Sequence, residues 1–437
     1  MQTLLQSYKA QALILLFIWV VSMVLSAEFV LSVSMIGLMV LALFQLEIDG
    51  PQVRVFLRKN IKDNFQKYWQ YKAWLAVSVP FLIVLISAFW SSDMNYTLER
   101  LRIKLPFLIL PFAFASMPPL RKNEIFTLLY FLLAMMSIIS LYVLTNFLVN
   151  FDEIMASLGK GGHLPTPSNH IRFSLTLAFT VIGGFALWME KFYLRQPFER
   201  HAVGIMTLFL FAFIHILSVR SGILALYLGL WVLAVYYMII KKKYLLGIFG
   251  MVAIISLPVI AYKTIPSFTL KVDYAIWDYK QFQQGKGGDY PDSERLISMK
   301  AGLELGKKNM AFGVGAGDLK KEMKNIYGKE LSDKYNFRMP HNQLISIFAG
   351  TGIIGLIVFI AAFFYPLFYK KNYRQPLFLA LHAVVFMSFF MENTIENNFG
   401  ISMYLLFLLV GLNYLNNHAT AEASRSAITR SANASNR

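Results

Sequence analysis

Runs of about twenty apolar residues recur from one end of this chain to the other, and a bilayer core of roughly 30 Å needs a helix of about that length. In lipid, an open sheet edge or an irregular segment would leave backbone N–H and C=O groups unpaired, so the spans have to be helices. Composition points the same way. Of 437 residues, 57% are hydrophobic and 15% are charged, against about 25% charged in soluble domains, and the mean hydropathy is +0.53. The sequence therefore predicts an all-α polytopic membrane protein. Its first apolar segment has no prominent small-residue cleavage site and leads directly into another, which reads as a retained span and not a signal peptide.

Residues 11–46 are too long for one helix, and Ala27-Glu28 divides them into two spans joined by a tight turn. Residues 48–73 are polar and carry Arg54, Arg58, Lys59, Lys62, Lys67 and Lys72, a cytoplasmic mark. Further spans are expected at about 74–90, 105–117, 125–148, 168–188, 203–219, 221–240, 244–262, 344–368, 376–391 and 398–415, about twelve in all. With the N-terminus inside, the inner connections hold Arg121-Lys122, then Lys191, Arg195 and Arg200, then Lys241-Lys242-Lys243, then Lys370-Lys371 and Arg374. This pattern satisfies the positive-inside rule and puts both termini in the cytoplasm. It also accounts for the net charge of +17 by topology, so no nucleic-acid partner is expected. The chain has no cysteine, which excludes disulfides and cysteine-based metal or redox sites.

The expected organisation is nine spans over 1–262, an outer loop domain at 263–343, three spans over 344–415, and a disordered cytoplasmic tail at 416–437 rich in Ala, Ser and Asn. Within the loop domain, helical spacing of Leu296, Met299 and Leu303 predicts an amphipathic helix capped by Asp292 or Ser293. The glycine turn Gly313-Val-Gly-Ala-Gly317 follows. Asp318 then caps a second amphipathic helix that carries Leu319, Met323, Ile326 and Tyr327. Two such helices with a turn between them form a lid over the membrane surface.

The outer side holds the candidate chemistry. Arg220 lies at the corner between two spans, where it either snorkels to the interface or binds an anion. Arg172 sits at the outer start of a span with His170 two residues before it. A helix N-terminus beside an arginine suits a phosphate, although interface anchoring fits Arg172 and helix capping fits His170. Arg295 falls near the start of the first lid helix, either solvated or facing an anion. His341 follows Arg338 and Pro340 at the edge of a long span. Its imidazole either caps that helix or takes a proton from a hydroxyl near neutral pH. Glu392 and Glu396 flank the last outer turn and are placed to pair with the outer arginines. No His, Asp or Glu spacing suits a metal, so no metal and no cofactor are expected.

With these residues in this order, the chain resembles the O-antigen ligase and polymerase family, most specifically over residues 205–360. The resemblance rests on Ser218-Val-Arg-Ser-Gly222 opening a span and on a long outer loop with Arg295 and Gly313-Val-Gly-Ala-Gly317. His341-Asn-Gln-Leu344 and Gly350-Thr-Gly-Ile-Ile-Gly355 complete it, and Ser91-Ser-Asp-Met-Asn with Lys104-Leu-Pro-Phe is similar to the family's first outer loop. The resemblance implies a glycosyltransferase related to the C-type fold in the bacterial inner membrane, with its site facing the periplasm. The donor it implies is a glycan on undecaprenyl pyrophosphate, and the acceptor a hydroxyl of the lipid A–core oligosaccharide. Membrane lipids complete the expected partners, and neither metal nor nucleotide is needed. Carried over by motif, Arg220 and Arg295 clamp the pyrophosphate and His341 is the base. Arg172, His170, Arg338 and Glu392 would contact substrate. The related polymerase, which lengthens a lipid-linked chain, uses the same donor. A lipid-linked sugar transporter is the alternative of another class, although no internal repeat is evident.

Overall fold

The computed structural model describes the backbone of residues 7–49, 52–285, 290–330 and 336–435, with the side chains of 48–49, 52–53, 329–330 and 417–435 outside that description. Helices α1 (Tyr8–Val24) and α2 (Glu28–Leu43) form the expected pair around the turn at Ala27. A short antiparallel hairpin follows, β1 (Phe44–Asp49) and β2 (Gln52–Leu57), with Phe44 opposite Leu57 and Glu47 opposite Arg54. Its alternating apolar and polar residues have the two-residue period of a strand, which the reading of this stretch as a polar connection passed over. The amphipathic helix α3 (Ile61–Gln70) leads into α4 (Lys72–Ser87).

Next come α5 (Met94–Ser116), α6 (Lys122–Val149), the short α7 (Phe151–Gly159), α8 (His170–Met189), α9 (Glu199–Leu217), α10 (Arg220–Ile239) and α11 (Tyr244–Thr264). Three helices then make the loop domain: α12 (Pro266–Gln283), α13 (Pro291–Lys308) and α14 (Leu319–Glu330). The chain closes with α15 (Gln343–Phe368), α16 (Pro376–Met391) and α17 (Asn398–Ser435). The protein is an all-α polytopic membrane protein.

Among the described residues, eight helices are long and apolar enough to cross a bilayer, and α1, α2 and α16 are shorter apolar helices. Eight of the about twelve expected spans thus meet the criterion of length and composition, and three more coincide with the shorter apolar helices. The remaining expected span, at 105–117, is the inner half of α5. That helix starts at Met94, and its first half carries Glu99, Arg100, Arg102 and Lys104, so the expected outer loop near 91–104 is mostly helical. The tail was expected to be disordered from 416, yet α17 continues as helix to Ser435, in keeping with the high helix propensity of its alanines.

The loop domain also departs from expectation in detail. Pro266 at the first turn opens a third helix, α12, at the position where proline is tolerated because its missing N–H has no helical partner. The stripe that α13 buries is Ile297, Ala301 and Leu305, displaced by one to two residues from the expected Leu296, Met299 and Leu303. It packs on Leu319, Met323, Ile326 and Tyr327 of α14, the stripe expected there, and on Ala349 of α15. Neither expected cap forms on α13, because Asp292 and Ser293 are drawn into other contacts. Asp318 likewise turns its carboxylate away from α14. It accepts from the backbone N–H groups of Ser92 (2.6 Å) and Asp93 (2.9 Å) and from the Ser92 hydroxyl (2.8 Å). Burial opposes the charge on Asp318, but these donors prevail and hold its carboxyl below the ordinary range. The first outer turn and the lid are thereby tied together.

The glycine turn has a structural task. Helix α15 is broken at Gly352, with φ +68° and ψ −173°. A backbone break inside a membrane is tolerated only where other groups take up the freed N–H and C=O. Here the turn supplies them: Val314 N–H donates to Ala349 O (3.0 Å), Gly315 N–H to Gly350 O (2.8 Å), and Ile353 N–H to Met310 O (2.8 Å). A Cβ on Gly313 would fall 2.4 Å from the Gly350 carbonyl carbon, so only glycine permits this approach.

Candidate active site

The N-terminal ends of α8, α10, α13 and α15 and the C-terminal end of α16 meet beneath the lid, all at one end of the bundle. At α8 and α15 the helix is capped by a neighbour of the candidate residue. Asn169 caps α8 by accepting from Ile171 N–H (3.1 Å), so His170 does not cap its own helix. Asn342 caps α15 by accepting from Ile345 N–H (3.0 Å), which leaves the His341 imidazole free of that task. Ser218, in the left-handed conformation at φ +57°, turns the chain sharply from α9 into α10 and sets Arg220 in the first turn.

His341 is anchored by its own N–H, which donates to Ser298 Oγ on α13 (3.3 Å). Its Nδ1 lies 3.2 Å from Glu392 Oε1. That distance is within ion-pair reach, but the alignment falls short of a good hydrogen bond. Burial opposes charge on Glu392, yet the contact with His341, the Asn393 N–H and the nearby Arg295 hold its carboxyl below the usual range. A carboxylate at one ring nitrogen and an open second nitrogen is the arrangement of an oriented base.

The cations fall into two groups. Arg220 places one guanidinium nitrogen 2.6 Å from both carboxylate oxygens of Asp292. Asp292 is itself steadied by donating its N–H to Asp278 (3.0 Å), a fully buried carboxylate that also accepts from Ser293 Oγ. Arg338 pairs with the buried Glu294, which also accepts from Asn336 (3.0 Å). Arg172, Lys271 and Arg295 form the second group, with no ion pair among the described residues. Arg295 is the notable one: its Nε is buried without a hydrogen-bond partner. Burial pulls its pKa below the ordinary guanidinium value against the attraction of Glu392 and Asp292, and Arg220 and Arg338 add repulsion.

Lys271 and His163 were not singled out from sequence. Lys271, on α12, donates to Gly161 O (3.1 Å). Burial first, then the charge of Arg220, push its pKa down to about 8 despite Asp292. His163 stacks on His170 with ring centroids 3.6 Å apart, and burial together with Lys271 and Arg295 disfavours its charged form. The one available signal was Pro266, which marks the start of the helix bearing Lys271. Glu396 stands apart. It pairs with Lys104 (2.7 Å) and accepts from Gln343 (2.7 Å), with Arg100 at 3.6 Å.

Unpaired guanidinium and ammonium groups at helix N-termini suit a multiply charged oxyanion, and the adjacent imidazole can move a proton to or from a hydroxyl. No cluster of three or more His, Cys, Asp and Glu side chains that could hold a metal ion occurs among the described residues. In comparisons with known proteins, no curated protein matches the chain. A family model described as O-antigen ligase matches residues 205–360, a stretch that runs from α9 past the break in α15 and contains Arg220, Lys271, Arg295 and His341. Over these residues the chain is similar to the O-antigen ligase family, and its multi-pass helical fold accords with that similarity.

Proposed function

We propose that the protein moves a glycan from a polyprenyl pyrophosphate carrier, undecaprenyl pyrophosphate in the family's usual form, to a hydroxyl of a lipid A–core acceptor. The observation that carries this reading is Arg295, a largely buried cation with an unpartnered Nε beside an imidazole–carboxylate pair. Arg295, Lys271 and Arg172 bind the pyrophosphate, joined by Arg220 when the phosphate takes over from Asp292. Arg338 keeps Glu294 in place at the rim, and His170 lines the floor. The His341 ring nitrogen remote from Glu392 accepts the proton of the attacking hydroxyl. The hydroxyl oxygen bonds to the anomeric carbon as the bond from that carbon to the phosphate oxygen breaks. The electron pair leaves with the pyrophosphate, whose growing charge the cations stabilise.

Orientation follows from charge. The connections at the opposite end of the bundle hold Arg121, Lys122, Lys191, Arg195, Lys241, Lys242, Lys243, Lys370, Lys371 and Arg374. Under the positive-inside rule that end is cytoplasmic and the candidate site faces the periplasm.

Arg295→Ala is expected to lower transfer by about 10²–10³-fold, the loss typical for removing one donor that stabilises developing negative charge. Arg295→Lys should recover part of it. Undiminished transfer by a folded Arg295→Ala protein rules the clamp out. The acceptor is decided by supplying purified lipid A–core and lipid-linked repeat units separately: product on the first means ligase, lengthening of the second means polymerase.

Lys271 gives the site a pH signature. Its folded-state pKa is depressed to about 8, so the ammonium is present below that pH and is lost as pH rises through it. Binding of farnesyl pyrophosphate, a soluble carrier mimic, is therefore expected to weaken from pH 7 to pH 9. Lys271→Met should bind more weakly at pH 7, approach the wild-type affinity at pH 9 and lose that pH-dependent limb. A pH-independent affinity in the wild-type chain over this range removes Lys271 from the site.

A further inference from the structure

At the end of the bundle away from the candidate active site, a cavity of about 590 Å³ opens between α6, α8, α10, α16 and α17. That volume lies within the range of small-molecule and cofactor sites, about 300–1,000 Å³. We propose that this cavity binds one anionic phospholipid, its phosphate at the basic mouth and an acyl chain between the helices.

The mouth and the depth of the cavity carry the proposal. Lys122, Lys241 and Arg374 ring the opening, with Glu190 as the only acid among the lining residues. Glu190 is already engaged by Lys122 at 2.8 Å, so Lys241 and Arg374 remain as exposed positive charge. The Tyr236 hydroxyl donates to the Arg374 carbonyl (2.6 Å) and fixes the turn that presents that arginine. Inward from the rim the lining becomes apolar and ends near Phe179 and Phe407, whose rings lie 4.0 Å apart. Along α8 the distance from Glu190 to Phe179 is about 16 Å at 1.5 Å per residue, close to half of a roughly 30 Å hydrocarbon core. The cavity thus has the depth of a single leaflet. A basic pocket between membrane helices is the arrangement that recognises acidic lipid headgroups. The cluster of Lys and Arg at the mouth favours a net-negative headgroup over a zwitterionic one. A lipid seated there would tie together five helices, including α8 and α10, whose other ends carry Arg172 and Arg220.

The test is thermal unfolding of the purified full chain in detergent with added dioleoyl phosphatidylglycerol, dioleoyl phosphatidylcholine or inorganic phosphate. Phosphatidylglycerol is expected to raise Tm by roughly 5 °C at a hundredfold excess over Kd, and the other two to leave it unchanged. Lys241→Gln with Arg374→Gln, both exposed positions, should abolish the shift while leaving the lipid-free Tm in place. Ala186→Trp, which fills the cavity, should also abolish it. Equal shifts with both lipids, a shift with phosphate alone, or a phosphatidylglycerol shift retained by the double variant overturns the proposal.

Discussion

His341→Ala is expected to lower glycan transfer by about 10²–10⁴-fold, the usual contribution of a general base, while donor binding stays close to that of the wild-type chain. The separation follows from the division of labour at the site. Asn342, not His341, caps α15, and the anchor of residue 341 to Ser298 runs through its backbone N–H. Removing the imidazole therefore leaves the helix start and the lid contact in place, along with Arg172, Lys271 and Arg295. Single-turnover transfer, measured beside farnesyl pyrophosphate binding, separates the two effects. Glu392→Gln should retain more activity than His341→Ala, because the amide still occupies the space beside Nδ1 without its charge. If a folded His341→Ala protein transfers glycan at the wild-type rate, the base lies elsewhere. If it loses donor affinity in parallel with transfer, the imidazole belongs to the pyrophosphate clamp.

The second large effect is expected in stability. Lys104 is buried on α5, and its ammonium is held by Glu396 and by the Ile395 carbonyl; Gln343 at the start of α15 bonds to the same Glu396 oxygen. Burial opposes the charge on Glu396, yet Lys104, Gln343 and Arg100 keep its carboxyl below the usual range. Glu396→Ala leaves Lys104 as a buried cation without its counter-charge, and breaking such a pair costs about 3–5 kcal/mol. Lys104→Met combined with Glu396→Leu should recover most of that loss, since an apolar pair of similar volume needs no solvation. Thermal unfolding of Lys104→Met, Glu396→Leu and the variant carrying both changes, in detergent, measures the coupling. Additive losses from the single changes would mean that the pair is not coupled.

Much of the fold was legible in the residues because the bilayer restricts the possibilities so severely. Apolar run length identified the spans, and the spacing of basic connections separated the two ends of the bundle. Where the reading missed, the local signal belonged to a different environment. The charged first half of α5 resembles a loop by hydropathy, but Asp93 caps it by accepting from Tyr96 N–H, and Lys104 is neutralised by a partner 292 residues away. The stripe on α13 lies one to two residues along because Leu296, Met299 and Leu303 offer an apolar face just as Ile297, Ala301 and Leu305 do. Only the facing surface of α14 and α15 selects between the two.

The sequence by itself determined a helical membrane protein with its candidate site residues at one edge and its basic connections at the other. Run length and charge placement are local properties, and they act through the solvent on either side of the bilayer. Which charges are paired was decided by the tertiary structure alone. Arg220, Arg338 and Arg295 look alike along the chain, but folding brings Asp292 to the first and Glu294 to the second. It leaves the third with its Nε unpartnered beside His341 and Glu392. That difference arises from long-range packing of the lid against α10 and α15, and the free energy of a buried charge depends on the neighbours that packing supplies.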